Sequence, residues 1–459
     1  MLATIAIVLA FAAGYSAYGL FRHWHFDSGA YDMGIFDQVV WHLSRFEVPA
    51  STVRGYSNML GDHFSPILAL LAPLYWIAPG PETLIVAQAA LLALSIVPVF
   101  IYARRRLPSG PACAVAIAYG LFWGMQRAAT FDFHEVAFAP LIVATAILAI
   151  DDTRWPLFWA MAVLLIAVKE DLIPLVGGFG LLLLIRRQVR HGVLAILVSA
   201  VAFLLVVRFV IPAMADDGQF GYAGAYVEVM QHPWRIPLLF FTPALKARTI
   251  LSLFVPFLFL PLLSPLSILI VPIAAERFLS SSTNLWGTAF HYWAPVAPML
   301  AMGAADGLAR IGEWVRNRGL DSRATLTVQG LAAMCVVLAA TVPGHQPLLR
   351  LVRPSLYRDV PVQEIGNRVV ALIPKDASVV AQGPILPHLS NRDRVFLLEA
   401  KETDAEFLIA TDRLDPWPLG SLDELRGVID THRRRGYQPV YERDGWVVLR
   451  RPASRREPN

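Results

Sequence analysis

The chain has 459 residues, of which 56% are hydrophobic and 16% charged, with a formal net charge of +4. With a mean hydropathy of +0.53, this composition excludes an ordinary soluble globular protein and points to a lipid-spanning body. The arginines are scattered over short loops and the C-terminal stretch, which argues for membrane topology and against nucleic acid as a partner.

From the start of the chain, Met1 to Leu20 is apolar, lacks a basic segment ahead of it and is followed by many similar runs. It reads as a first transmembrane helix rather than a signal sequence. Further spans are expected at about 83–103, 111–128, 136–150, 155–168, 172–185, 193–212, 248–263, 265–275, 294–309 and 324–342, because each approaches the length that crosses about 30 Å of hydrocarbon. With the first at 1–21, that makes about eleven transmembrane helices within a membrane domain at 1–342. The run from Phe64 to Ala78, broken by Pro66 and Pro73, is read as interfacial. Three basic clusters, at Arg104 to Arg106, at Arg186, Arg187 and Arg190, and at Arg310, Arg316, Arg318 and Arg323, then fall on one side, assigned to the cytoplasm. Cys113 and Cys335 lie in apolar runs and suggest neither a disulfide nor a zinc site.

Residues 343–459 are richer in Arg, Asp and Glu and are expected to form a small α/β domain outside the cytoplasm. Ser421-Leu-Asp-Glu424 is a capping box that starts a helix over about 422–435. Short β-type runs at 378–381, 395–398, 407–410, 440–441 and 446–449 surround it, the last two joined through Asp444-Gly445.

This topology places the loops 22–82, 129–135, 169–171, 213–247 and 276–293 on the outer side. They carry Asp27, Asp32, Asp37, Asp62, His23, His25 and His63, then Asp132, His134 and Glu135, then Lys169, Glu170 and Asp171, then Glu276, Arg277, His291 and Tyr292. Ionisable groups at a membrane boundary are costly unless hydrated or used, so their gathering on one side suggests a polar functional cavity. Plainer roles exist for each: helix caps for Asp32, Asp37 and Asp62, an ion pair for Lys169, and an aromatic belt for Tyr292.

The pattern Phe26-Asp-x-Gly29 and Asp32-x-Gly-Ile-Phe-Asp37-Gln38-x-x-Trp41, with Gly61-Asp-His-Phe-Ser-Pro66, Asp132-Phe-His134, Lys169-Glu-Asp171 and His291-Tyr292, resembles a bacterial and archaeal family of predicted membrane proteins of unknown function grouped with the GT-C glycosyltransferases. That resemblance covers nearly the whole chain. It implies an α-helical polytopic membrane protein of the bacterial cell membrane whose active face and C-terminal domain are extracytoplasmic. It also implies transfer of a sugar from a polyprenyl-phosphate or polyprenyl-diphosphate donor to an envelope glycan, lipid or protein. By position Asp32 corresponds to the acid of the first outward loop and Asp132 to the second. The usual acidic doublet is replaced by Asp32-x-x-x-x-Asp37 and Asp132-x-His134.

On this reading Asp32, with Asp37 as alternative, is the general base. Asp62, His63, Arg54, His134, Glu135, Lys169, Glu170, Asp171, Arg277, His291 and Tyr292 bind substrate, the cations among them facing the leaving phosphate. Asp32, Asp132 and His134, with Asp62, offer hard oxygen and imidazole ligands suited to Mg²⁺ or Mn²⁺. The competing functions are a transporter or lipid flippase, and a non-catalytic envelope scaffold. Mid-membrane charges on broken helices are the mark of the first, and the sequence shows no clear one besides Arg208.

Overall fold

The computed structural model describes residues 2–344, 346–358, 361–400 and 403–452. It is mostly helical, with one small sheet near the C-terminus. Four helices among the described residues are long and apolar enough to cross a bilayer: Leu2–Trp24, Pro81–Arg104, Val189–Met214 and Asp321–Thr341. Pro233–Phe241 and Ala244–Phe257 add a fifth if this pair, bent by 64°, is one span. The remaining expected runs are helical but shorter or broken.

The breaks have local causes. Phe122 leaves helical geometry (ψ 133°) and divides the expected 111–128 span into Ser109–Leu121 and Trp123–Thr130. The Gln126 side chain donates to the Leu121 carbonyl at 2.5 Å across that break. Pro256, Pro261 and Pro265 each remove a backbone donor, and Leu258 and Phe259 adopt left-handed φ. The expected spans at 248–263 and 265–275 therefore become the Ala244–Phe254 helix, three 3₁₀ turns and the Ile270–Leu279 helix. Phe64 to Ala78 contains only the 3₁₀ segment Pro66–Leu71 and one helical turn, Ala72–Tyr75.

Ala297–Arg316 is the central helix, largely buried. Its small residues permit this position: a Cβ on Gly307 would stand 2.5 Å from the Leu260 carbonyl oxygen, and one on Gly303 would stand 3.2 Å from Pro261. Close backbone approach of this kind is the usual packing device of membrane helices.

One end of the helical body holds a closed set of ion pairs. Asp151 meets Arg106 at 2.7 Å and Arg186 at 3.6 Å, Asp152 pairs with Arg105, and Asp306 receives Arg106 Nε at 2.6 Å and Ser264 Oγ at 2.5 Å. Arginines from two of the basic clusters, and an acid from the helix that carries Arg310 and Arg316, thus share one end, as the positive-side assignment requires.

The sheet runs in the order β2-β1-β3-β5-β4, where β1 is Val379–Ala381, β2 Val395–Leu397, β3 Phe407–Thr411, β4 Gln438–Arg443 and β5 Trp446–Arg450. β1 is parallel to β2 and β3, and β5 is antiparallel to β3 and β4. Asp444 and Gly445, both at positive φ, make the tight β4–β5 turn. Alternate residues separate the two faces. Val379, Ala381, Phe407, Ile409, Trp446 and Val448 join the main core, whereas Val380, Leu408, Ala410 and Leu449 pack with Leu425 and Ile429. Those last two residues lie on the Leu422–Arg434 helix, whose cap is Ser421 Oγ accepting from Glu424 N at 3.2 Å. The sheet is thus seated on the helical body through the first loop.

Candidate active site

The first loop turns sharply where the Leu2–Trp24 helix ends. Asp32 has φ 70° and ψ −81°, near the rare and strained γ-turn geometry. Asp132 holds this turn in place. It accepts from Gly29 N–H at 2.8 Å and pairs with Arg22 at 2.9 Å, while Arg22 also donates to the Thr130 carbonyl at 2.9 Å. A Cβ on Gly29 would come within 3.2 Å of Asp132 Oδ2, so a larger residue here would push the carboxylate aside by a few tenths of an ångström. Burial pushes the Asp132 carboxyl up to about 6 despite Arg22 and the Gly29 N–H.

Asp32 itself lies 3.1 Å from His134 Nε2 and keeps 34% of its side chain exposed. Burial pushes its carboxyl up, but His134, Lys169 and Arg54 outweigh burial and hold it below the usual carboxylate value. Burial likewise pulls His134 down, and Asp32 more than restores it, so its imidazole titrates above the ordinary histidine value. His134 stacks on His291 with ring centres 3.6 Å apart. His291 is 2% exposed, and neither ring nitrogen has a hydrogen-bond partner among the described residues. Burial and the facing His134 hold His291 well below the usual histidine range, so it is neutral. Tyr292 packs on His291 at 4.3 Å.

Behind this pair lies a second charged layer. Lys169 Nζ is 2.9 Å from Glu135 Oε1. Burial opposes the ammonium, yet Glu135 and Asp171 keep Lys169 firmly charged. Arg277 is 1% exposed; its Nε stands 3.4 Å from Glu276 and its guanidinium 5.2 Å from the Trp293 ring centre. Arg277 Nη1 and Asp171 Oδ1 have no hydrogen-bond partner among the described residues. Buried polar groups are almost always satisfied, so these groups and the His291 nitrogens mark unfilled binding capacity.

The flank of the site is closed by the 213–247 segment. His63 binds Glu170 at 2.6 Å, and Glu170 also accepts from Phe64 N at 2.9 Å. Burial opposes the Glu170 charge, but His63 brings the carboxyl down to about 2. Tyr222 stacks on His63 at 4.6 Å and donates to Asp62 at 3.0 Å, where Tyr56 also donates at 3.3 Å. Gly61 lies against the backbone of Met214 and Ala215, where a side chain has no room. Arg54 covers the Tyr31 ring at 4.8 Å.

Residues from four separated loops therefore converge: Asp32, then His134 and Glu135, then Lys169 and Asp171, then Arg277 and His291. Asp37 stands apart. It is fully buried and accepts from Tyr75 OH at 2.5 Å, Ser390 Oγ at 2.6 Å and Asn391 Nδ2, which ties the first loop to the C-terminal segment. Gln38 and Thr52 extend this junction: Thr52 Oγ1 donates to the Val395 carbonyl at 2.6 Å at the edge strand β2. Sequence reasoning missed Arg22, Tyr222 and Tyr226, the last of which donates to Glu276 at 2.8 Å, and met Gly29 only as part of the family pattern. Arg22, a lone arginine at a helix end just before an acid-rich loop, carried a readable signal. The tyrosines of Phe220-Gly-Tyr-Ala-Gly-Ala-Tyr226 carried none beyond their aromatic character.

The expected metal set does not close. Asp32 and His134 pair with each other, while both Asp132 oxygens serve Arg22 and Gly29, so the three do not present open ligand atoms to one point. Among the described residues, ligand atoms within 4.8 Å of one another are found instead on His42, Glu47 and Asp393.

A search of curated proteins finds no match to this sequence. Among solved structures, the chain is similar to ArnT from Cupriavidus metallidurans bound to undecaprenyl phosphate, at a TM-score of 0.55 and 13% identity, over 98% of each chain. The same protein in the apo state gives 0.52 at 12% identity, also over 98% of each. The apo oligosaccharyltransferase of Archaeoglobus fulgidus gives 0.45 at 13% identity, over 86% of this chain and 64% of that one. At these identities the likeness to ArnT is one of fold alone. A model of the predicted membrane protein family DUF2079 matches residues 22–448, so the chain belongs to that family.

Proposed function

We propose that the protein is a membrane glycosyltransferase that moves a sugar from a polyprenyl-phosphate or polyprenyl-diphosphate donor to an acceptor hydroxyl outside the cytoplasm. One observation carries this reading: a carboxylate held ionised and partly exposed, Asp32, lies within the field of a charged Lys169, and beside them the buried Arg277 keeps unfilled hydrogen-bonding capacity. The fold likeness to a protein bound to undecaprenyl phosphate supports the donor class.

In the reaction, Asp32 takes the acceptor hydroxyl proton as the acceptor oxygen attacks the anomeric carbon. The bond from that carbon to the phosphate oxygen breaks, and the oxygen keeps the electron pair. Lys169 and Arg277 then neutralise the charge gathered on the phosphate, in a site where little water competes. His134 orients the Asp32 carboxylate, and His291 fixes His134 by stacking. Asp132 positions the turn through Gly29 and Arg22 and touches neither reactant. Asp37 is assigned to the junction with the C-terminal segment, not to proton transfer. The apolar cavity of about 140 Å³ lined by Phe36, Val39, Met59, Leu60 and His63 suits the first isoprene unit of the carrier. No step is routed through a divalent ion.

The test is release of undecaprenyl phosphate from a labelled undecaprenyl-phosphate sugar by the purified, reconstituted protein, beside Asp32→Asn. Turnover in the wild type and its loss in the variant are expected. Equal turnover by both proteins removes Asp32 as the base.

A further inference from the structure

A cleft of about 340 Å³ opens where the Leu2–Trp24 and Trp123–Thr130 helices meet the chain that follows Asp321–Thr341. Tyr18, Arg127, Phe131, Gln346, Arg350 and Arg353 line it, and no carboxylate is found among the described residues of its lining. Arg350 is fixed by Tyr18, donating to the hydroxyl at 2.9 Å. Gln346 is 5% exposed and donates through Nε2 to the Val342 and Ala339 carbonyls, at 2.5 and 3.2 Å. Its Oε1, also buried, has no hydrogen-bond partner among the described residues. The Phe131 ring stands between this cleft and the candidate active site, with its centre 5.5 Å from those of both His134 and His291.

Arg350 and Arg353, side by side with no carboxylate among the described lining residues, suit phosphate, because planar guanidinium donors match its oxygens. The buried Gln346 carbonyl adds a different demand, for a hydroxyl donor. We infer that this cleft is a second anion site, separate from the pocket of Asp32, that takes the phosphate of a lipid headgroup also bearing a hydroxyl. Its place at the end of two membrane-type helices sets a phosphate at headgroup depth. Nothing in this inference requires the transfer reaction.

The probe is dioctanoyl phosphatidylglycerol, titrated into the full-length protein in phosphatidylcholine nanodiscs. Saturable binding is expected, and Arg353→Glu, on an exposed residue where the fold tolerates the change, weakens it by about tenfold or more, as loss of a charge-assisted hydrogen bond implies. Asp32→Asn leaves binding unchanged, which separates this site from the transferase reading. Wild type prefers phosphatidylglycerol to phosphatidylmethanol, which lacks the headgroup hydroxyls, and Gln346→Met abolishes that preference. Displacement by inorganic phosphate at the same concentration assigns the cleft to free phosphate and overturns the lipid source. Binding by Arg353→Glu equal to wild type, or equal retention of phosphatidylcholine, overturns the site altogether.

Discussion

The two ends of the helical body are both rich in charge, yet they use it differently. At one end Arg105, Arg106 and Arg186 meet Asp151, Asp152 and Asp306, and each of these acids has a cation in place. At the other, Arg277 Nη1, Asp171 Oδ1 and both nitrogens of His291 are buried without hydrogen-bond partners among the described residues. Charge alone therefore does not mark a site. Unfilled capacity in a buried place does, since an orphaned buried group costs about 1–3 kcal/mol unless something binds it.

The contrast predicts where substitutions matter. Asp32→Asn has the largest effect, a fall in kcat of about 10²–10⁴, the usual share of a general base, with donor binding retained in a filter assay. Next comes Arg277→Gln, expected to lower kcat by about 10²–10³ in the manner of a lost transition-state donor. It also weakens binding of undecaprenyl phosphate itself, and unchanged binding would remove Arg277 from the phosphate contact.

A smaller effect is expected at the junction. Asp37→Ala leaves the Tyr75, Ser390 and Asn391 donors unpaired and should cost about 1–3 kcal/mol, read as faster proteolytic release of the C-terminal segment. Burial raises the Asp37 carboxyl to about 7, with the Ser390 and Tyr75 bonds opposing. The folded state thus binds this proton more tightly than the unfolded chain does. Its contribution to stability is complete below about pH 4 and is lost as pH rises to about 7. Proteolytic release should accelerate across that window in the wild type and stay flat in Asp37→Ala; a flat wild-type profile would falsify the assignment. Least of all, Arg105→Gln at the closed end should change stability by about 0–1 kcal/mol and leave turnover unaltered. A large loss of turnover there would erase the distinction between the two ends.

Much of this was legible in the residues. The apolar runs gave the helices of 155–168, 172–185 and 324–342 nearly to the residue, since a helix in lipid needs only length and hydropathy. The C-terminal strands followed from short β-type runs set off by turn residues, and the Leu422–Arg434 helix from its capping box. Runs containing several prolines misled, because hydropathy does not register a missing backbone donor.

The sequence by itself determined which residue types crowd the loops at one end of the helical body and which runs are apolar. Only the tertiary structure decided that Asp32 and Asp37, five positions apart, part company, one facing His134 and the other buried under Ser390. A carboxylate's role depends on its partners and its exposure, and here those partners come from chain more than a hundred residues away.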